Sequence, residues 1–187
     1  MLVDYNNVKR LLFVLHRVLK GRGVIMPDFK VSTGYRPGLV GRVVELHAKY
    51  YFRNWNFGQF FETKVATELS GFLNAYTEAK DCIWSLSIAD KIEGAIAIDG
   101  GSERENMAHL RWFIVSDNLR GKGAGNYLMQ EAIAFCQAAE FEKVYLWTFE
   151  GLKAARHLYE KFGFRLVEEY PGQQWGKTVT EQRFELK

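Results

Sequence analysis

A glycine-rich stretch in the middle of the chain has the composition of an anion-binding turn. Its seven residues, Arg120 to Asn126, read Arg-Gly-Lys-Gly-Ala-Gly-Asn and come shortly after the apolar run "LRWFIV". The first turn of a helix has NH groups without an acceptor inside the helix, and the helix dipole adds partial positive charge there. Glycines let a ligand approach this backbone closely. The order strand, glycine turn and helix therefore predicts a phosphate-binding site.

The glycines alone leave the chemistry of this turn open. A tight turn that needs positive φ would use the same residues without any ligand. No Gly-Lys pair is followed by Ser or Thr, as a nucleoside triphosphate loop requires, and the spacing G-x-G-x-G differs from the G-x-G-x-x-G of dinucleotide-binding folds. Nucleotide hydrolysis and hydride transfer therefore lose support.

A second motif, "AARHLYEKFGFRLVEE", lies downstream at residues 154–169. Together, R-x-x-G-x-G after a strand and L-Y-E-K-x-G-F at a helix end resemble the acetyl-coenzyme A motifs of the GNAT superfamily of N-acetyltransferases. The resemblance spans about residues 29–187 and extends to the acetyltransferase half of fused MarR-type regulator and acetyltransferase proteins. It implies a mixed α/β fold with a central, mostly antiparallel sheet flanked by helices. It also implies acetyl-coenzyme A as cosubstrate.

The resemblance assigns the donor site to two stretches and to the second motif. Phe113, Ile114 and Val115 would follow the pantetheine arm and bond to it through the backbone, as an added strand does, with the Val115 NH facing the thioester oxygen. The residues that would wrap the pyrophosphate are Arg120, Gly121, Lys122, Gly123, Ala124, Gly125 and Asn126. Ala155 in the second motif, and Leu152 three residues before it, would contact the coenzyme, although many family members have asparagine where this chain has Leu152.

Acetyl transfer by direct attack needs a neutral primary amine, stabilisation of an oxyanion and a proton for the departing thiolate. The resemblance gives the proton to Tyr159, for which an ordinary core aromatic is the alternative. His109 is a candidate base because strict alternation along its strand sets it on one face with Arg111, Phe113 and Val115.

Two features of the acetyl-accepting side stay open. Glu150, at the end of the next predicted strand, and ordered water are rivals to His109 as proton acceptor, and His109 is equally explained as a strand residue bonded to a neighbour. In this fold a helical region often lines the acceptor pocket. Its counterparts here are Glu45, His47, Tyr50, Tyr51 and Trp55, and the aromatic ones fit the core equally well.

Hydrophobic periodicity predicts the elements that would position these residues. Helices are predicted over "PGLVGRVVELHAKYYF", "FGQFFETKVATELSGFLNAY", the segment after the glycine turn and "LKAARHLYEKFG". Strands are predicted in "FKVSTGY", "CIWSLSIA", "KIEGAIAID", "MAHLRWFIV", "VYLWTF", "FRLVEEY" and "TVTEQRFEL". The second and third strands are separated only by turn residues near Asp90, which predicts an antiparallel hairpin.

The start of the chain differs in character from the rest. Residues 1–28 are predicted as an N-terminal extension, because "VKRLLFVLHRVLK" has the pattern of a short basic amphipathic helix and "KGRG" follows it. The alternative is a segment added by a misassigned start codon. Residues 29–187 are then the acetyltransferase domain. The extension is too short for a winged-helix DNA-binding domain, so the regulatory role of the fusion proteins is not expected.

Composition limits the partners. The formal net charge is only +3, with 25 Lys and Arg scattered among 22 Asp and Glu, so nucleic acid is not an expected partner. Two distant cysteines and four histidines form no metal pattern, which predicts no metal and free thiols in a reducing, cytoplasmic compartment. No apolar run approaches the length of an integral membrane helix.

The sequence thus predicts an N-acetyltransferase that acts on the primary amine of a small molecule or peptide. A homodimer is left open. Two other functions stay open as well: a coenzyme A-binding or sensing module without turnover, and a partner of a separate transcriptional regulator.

Overall fold

A computed structural model of the protein describes residues 29–101 and 106–187. Within these ranges the chain forms seven strands and four α-helices. In chain order they are β1 Lys30–Thr33, α1 Leu39–Trp55, α2 Gln59–Asn74, β2 Cys82–Ile88, β3 Lys91–Asp99, β4 Met107–Val115, α3 Ala124–Ala138, β5 Lys143–Phe149, α4 Lys153–Lys161, β6 Arg165–Gly172 and β7 Val179–Leu186. Every helix and strand predicted within these ranges is present, and the predicted extension over residues 1–28 lies outside them. None of the described helices is both long and apolar enough to cross a bilayer.

The strands form one mixed sheet in the order β1-β2-β3-β4-β5-β7-β6. Among the described strands only β4 and β5 are parallel neighbours, which confirms the predicted mostly antiparallel sheet. The β4–β5 pairing covers three positions and ends at His109 and Tyr145. Beyond that point the two strands no longer pair with each other, so the sheet opens at its centre.

Two apolar clusters cover the two faces of this sheet. Helices α3 and α4 pack on one face, where Leu128 and Phe184 are fully buried. Helices α1 and α2 pack on the other, with Leu69 and Trp112 among its buried residues. Since burying one such side chain contributes roughly 1.5–3 kcal/mol, these clusters hold the helices in place on both sides of the opening.

A β-bulge in β4 overturns the predicted alternation of its side chains. Trp112 has a φ of 46°, and the register against β3 shifts between Ala95 and Ala97. One extra residue in a strand reverses the faces of all residues after it. His109 and Arg111 therefore lie on the α1–α2 face, whereas Phe113 and Val115 pack against the cluster on the α3–α4 face. The prediction that these four side chains share one face was wrong.

Candidate active site

A cavity of about 410 Å³ lies where β4 and β5 separate. Its walls come from the end of β3, from β4, β5, α1, α2 and α4, and from the connection between β6 and β7. The aromatic end of the cavity is lined by Tyr51, Phe61, Phe149 and Trp175, whose rings pack on one another. The ionic end is lined by Lys64, Glu68, Asp99 and Arg111. The cavity thus changes from aromatic to charged along α2, which supplies Phe61, Lys64 and Glu68.

The glycine-rich turn after β4 has the backbone conformation that an anion site needs. Gly121 and Gly123 have φ of 73° and 78°, a left-handed conformation that costs other residues roughly 1–2 kcal/mol. Within the described residues no atom stands within 4 Å of the Cβ position of either glycine. Helix α3 then begins at Ala124, and in this part of the chain nothing accepts a hydrogen bond from the NH groups of Gly125 and Asn126. The predicted pyrophosphate site is therefore open and rich in donors.

The free edge of β4 leads from the cavity to this turn. The Ser116 NH donates to the Glu93 oxygen at 2.8 Å. Because antiparallel pairing alternates between bonded and non-bonded residues, Val115 turns its own NH away from β3. It faces the side on which β5 has separated. This is the backbone group that the sequence assigned to the thioester oxygen.

Side-chain charge at the turn is partly neutralised within the protein. The Arg120 guanidinium pairs with Asp117 at 2.6 Å and lies 5.0 Å above the centre of the Tyr50 ring. Lys122 is exposed, and the Asn126 side chain accepts a hydrogen bond from Lys161. Backbone NH groups, rather than a bare guanidinium, therefore provide most of the anion-binding capacity here.

Helix α4 joins the turn to the cavity. A Cβ on Gly125 would lie 3.4 Å from Leu158 and 3.5 Å from the Phe113 ring, so α3, α4 and β4 meet closely at this point. Ala155 packs against the apolar clusters on both faces, and Leu152 is buried in the cluster on the α1–α2 face. An apolar, buried Leu152 offers no hydrogen bond to the coenzyme.

Tyr159 lies between the two sides of the opening. Its ring lines the cavity, is 6% exposed and packs 6.3 Å from Phe113 and 6.0 Å from Phe184. Burial raises the pKa of its hydroxyl, and the nearby Tyr50 raises it further. The phenol therefore keeps its proton at neutral pH and can donate it in a hydrogen bond.

His109 lines the cavity beside the last β4–β5 pair. Its ring stacks on Tyr145 with 4.3 Å between centroids. Burial, helped by the positive charges of Arg111 and Arg183, lowers the pKa of His109 to about 3. The imidazole is thus uncharged at neutral pH and is a weak base.

The other predicted proton acceptor lies elsewhere. Glu150 is exposed directly after β5, and its NH donates to the Thr180 oxygen at 2.9 Å. Its side chain is not among those that line the cavity. Of the two proposed bases, the structure brings only His109 to the opening.

Of the helical residues expected to line the acceptor pocket, only some line the cavity. His47 and Tyr51 line the cavity. Tyr50 lies under Arg120, and the Trp55 ring packs 5.3 Å from that of Phe149. Glu45 instead points to the outer surface of α1, where it pairs with Arg42 and Lys49.

Sequence reasoning missed the charged end of the cavity. Arg111 pairs with Asp99 at 2.9 Å and with Glu68 at 2.5 Å, and Lys64 pairs with Glu68. An arginine inside the apolar run "HLRWFIV" was the available signal, since a charge in a buried strand needs a partner. The partners lie on α2 and at the end of β3, which no sequence spacing connects.

The connection between β6 and β7, residues 173–178, forms a roof over the aromatic end. Gln174 and Trp175 line the cavity from this roof. The buried Glu181 carboxylate accepts hydrogen bonds from the NH and the side chain of Gln174, at 2.8 and 2.7 Å. Lys177 donates to the Trp55 oxygen at 3.3 Å, which fastens the roof to the end of α1.

Metal ligands and cysteines contribute nothing visible to this site. Across residues 29–101 and 106–187, no three His, Cys, Asp or Glu side chains form a group able to hold a metal ion. Both cysteines are free, and burial raises the pKa of Cys136 to about 12. This cysteine is therefore a thiol, and not a thiolate nucleophile, at neutral pH.

Comparison with known proteins identifies the same region. Residues 41–164 match the acetyltransferase (GNAT) family. Over 123 residues the chain is 28% identical to N-acetylaspartate synthetase of Xenopus tropicalis, a match that covers 65% of this chain and 45% of that relative. The chain thus spans less than half the length of the curated relative.

Solved structures share the fold. A GNAT-family acetyltransferase from Staphylococcus aureus superposes with a TM-score of 0.66 and 17% identity, covering 84% of this chain and all of that one. A structure from Salmonella typhimurium that holds its cofactor acetyl-CoA gives a TM-score of 0.68 at 12% identity, covering 85% and 93% of the two chains. The family match covers well over half of the sequence and includes β4, the glycine turn and α4, so this protein belongs to the GNAT family of acetyltransferases, whose acyl donor is acetyl-coenzyme A.

Proposed function

We propose that the protein transfers the acetyl group of acetyl-coenzyme A to a primary amine by direct attack. The observation that carries the proposal is the unpaired edge of β4, which connects the cavity to the glycine turn. The pyrophosphate binds the NH groups of the turn, and the pantetheine arm adds to β4 as a strand would. The thioester then lies beside Tyr159, at the mouth of the cavity.

The reaction follows from these positions. The neutral amine attacks the thioester carbon, and the Val115 NH donates to the oxyanion that forms. As the carbon–sulfur bond breaks, the electron pair leaves with sulfur, and Tyr159 donates a hydrogen bond and then its proton to the thiolate. The nitrogen of the new amide loses its extra proton, so that one acetyl group moves and one thiol is released.

In this proposal water, and not His109, accepts the proton of the amine. Alkyl ammonium groups have a pKa of about 10.4, whereas the pKa of His109 is lowered to about 3. A base is most effective when its pKa lies near the working pH. Neutral His109 is therefore a wall residue of the cavity in this proposal. Replacing it in His109→Gln leaves the acidic limb of the rate against pH unchanged, and a displaced limb would return the base role to it.

Only the relative suggests a particular acceptor amine. The name of the Xenopus protein gives N-acetylaspartate as its product, so aspartate belongs in any acceptor panel. The remaining panel members are other amino acids, polyamines and peptides with a free amino terminus.

The decisive experiment measures thiol release from acetyl-coenzyme A against this panel, with calorimetry of acetyl-coenzyme A binding beside it. Binding together with amine-dependent thiol release supports the proposal. Binding without release by any amine indicates a sensing module, and co-purification with a separate regulator then becomes the next measurement. Absence of binding contradicts the assignment of the donor site.

A further inference from the structure

The two ends of the cavity offer different contacts to a bound amine. The aromatic end lies beside Tyr159, where the amine must meet the thioester. The ionic end lies further back along β4, at Arg111, on the other side of the bulge at Trp112. An acceptor with its amino group at the thioester therefore extends a second group toward the charges.

The ionic end has unused donors and occupied acceptors. Each carboxylate oxygen there already accepts a hydrogen bond. Glu68 accepts from Lys64 and Arg111, while Asp99 accepts from Arg111 and from the Gly101 NH. Among the described residues Lys64 uses one of its three N–H groups and Arg111 two of its five. The group missing from this end of the cavity is thus a hydrogen-bond acceptor.

A carboxylate is the acceptor that these donors hold most strongly. The charges at the ionic end are balanced within the protein, because Lys64 and Arg111 face Glu68 and Asp99. Beside them, burial and the positive charges of Arg111 and Arg183 lower the pKa of His109, so the imidazole is neutral and adds no charge; Arg183 itself pairs with Glu185 at 2.9 Å. A carboxylate is therefore held here by charge-assisted hydrogen bonds from the unused N–H groups, and not by a net positive charge.

We propose that the ionic end binds the carboxylate of the acceptor, with Lys64 and Arg111 as its donors, so that the substrate is an amino-carboxylate. The inference rests on the proposed function, because it places the amine at the thioester. The aromatic walls between the two ends contact the carbon atoms that join the amine to the carboxylate.

Lys64 is the residue to change, since removing Arg111 would leave the partly buried Asp99 carboxylate without its ion-pair partner. Lys64→Met removes the ammonium but keeps the length of the side chain, and Glu68 is still held by Arg111. Lys64→Arg keeps the charge. Lys49→Met is the matched control, because Lys49 forms the same kind of one-turn pair with Glu45, on the outer surface of α1.

The kinetic test uses acceptor pairs that differ in one carboxylate: glycine and glycinamide, β-alanine and β-alaninamide, L-aspartate and L-asparagine. We expect the parent to prefer the carboxylate member in kcat/KM, and Lys64→Met to reduce that preference about 10-fold or more, as loss of a charge-assisted hydrogen bond does. Lys64→Arg and Lys49→Met should retain it, with the KM for acetyl-coenzyme A unchanged throughout. Comparing parent with variant cancels the different amine pKa values within each pair.

A binding test makes the outcome independent of turnover. Calorimetry in the presence of coenzyme A compares N-acetylglycine with N-acetylglycinamide on the parent and on Lys64→Met. Tighter binding of N-acetylglycine by the parent, lost in Lys64→Met, supports the inference even if no amine is acetylated. Absence of acetylation would overturn only the proposed function. Equal affinities, no measurable binding of either ligand, or a preference that survives Lys64→Met would overturn the carboxylate site.

Discussion

The glycine turn and the two-ended cavity offer hydrogen-bond donors from different parts of the chain. At the turn the donors are backbone NH groups from one short segment, Gly121 to Asn126. In the cavity they are side chains brought together from α1, α2, β4, β5 and the β6–β7 roof. Backbone recognition tolerates most side-chain changes, whereas side-chain recognition changes with single substitutions. Binding at the proposed donor site should therefore tolerate most side-chain substitutions, whereas binding at the proposed acceptor site should change with single substitutions.

The largest effect is expected where the two regions meet. Tyr159→Phe keeps the ring in its apolar contacts and removes the proton for the thiolate, so kcat should fall roughly 100-fold to 10,000-fold. Affinity for acetyl-coenzyme A, measured by calorimetry, should stay nearly constant. Tyr170→Phe on the exposed strand β6 is the control. Turnover of Tyr159→Phe within a factor of about two of the parent would make Tyr159 a packing residue.

A change at the turn should affect only the donor. Gly123→Val places a side chain in the open space above the turn and forces valine into a left-handed conformation. We expect acetyl-coenzyme A affinity to fall about 10-fold to 100-fold. Gly41→Val is the matched control, because its Cβ also meets no neighbour among the described atoms and it lies within α1. Unchanged affinity in a folded Gly123→Val protein would separate the turn from the coenzyme.

A change beneath the roof should affect only the acceptor. Glu181→Gln keeps the shape of the side chain but removes the negative charge that strengthens both hydrogen bonds from Gln174. The acceptor KM should rise about 5-fold to 10-fold, while kcat and the KM for acetyl-coenzyme A stay the same. The control, Glu169→Gln, alters a carboxylate on β6 that bonds Gln182 outside the cavity. Equal changes in both KM values would mean that Glu181 supports the whole fold and not the roof.

The smallest effect concerns stability in mild acid. Burial lowers the pKa of His47 to about 4, despite the hydrogen bond that its ring donates to the Val43 oxygen at 2.9 Å. Between that value and the ordinary pKa of 6.5 the unfolded chain binds the proton and the folded chain does not, so stability falls as pH decreases. From pH 7.5 to 6 the expected loss from His47 is about 0.8 kcal/mol, measured by urea unfolding, and His109 adds a similar loss for the same reason. His47→Gln should remove this part of the dependence, and stability that rises toward pH 6 would contradict it.

The elements and the glycine turn could be predicted because each depends on neighbours in sequence. The apolar stripe of α2, with Phe61, Val65, Leu69 and Phe72, follows helical spacing, and all four are buried. The two-residue turn between β2 and β3 has positive φ at Ala89 and Asp90, as the predicted hairpin requires. The glycines of the anion-binding turn likewise stand next to each other in the chain.

The bulge and the cavity could not be predicted because both depend on partners distant in sequence. Nothing in "MAHLRWFIV" signals that Trp112 and a neighbouring residue share one position opposite β3. Strict alternation therefore placed His109 on the wrong face relative to Val115. Arg111 stood out as a charge in an apolar run, but Glu68 lies 43 residues earlier. Only the packing of α2 on the sheet brings the two together.

The contact between Lys177 and Trp55 joins residues 122 positions apart. Closing so long a loop is entropically costly and comes late in assembly, when the sheet between them already exists. The aromatic end is therefore complete only after the last two strands have docked, and a nascent chain that lacks them has no roof over the cavity. In hydrogen exchange, the roof and the end of α1 should open together and ahead of the central strands, and an occupied cavity should slow exchange at both places at once.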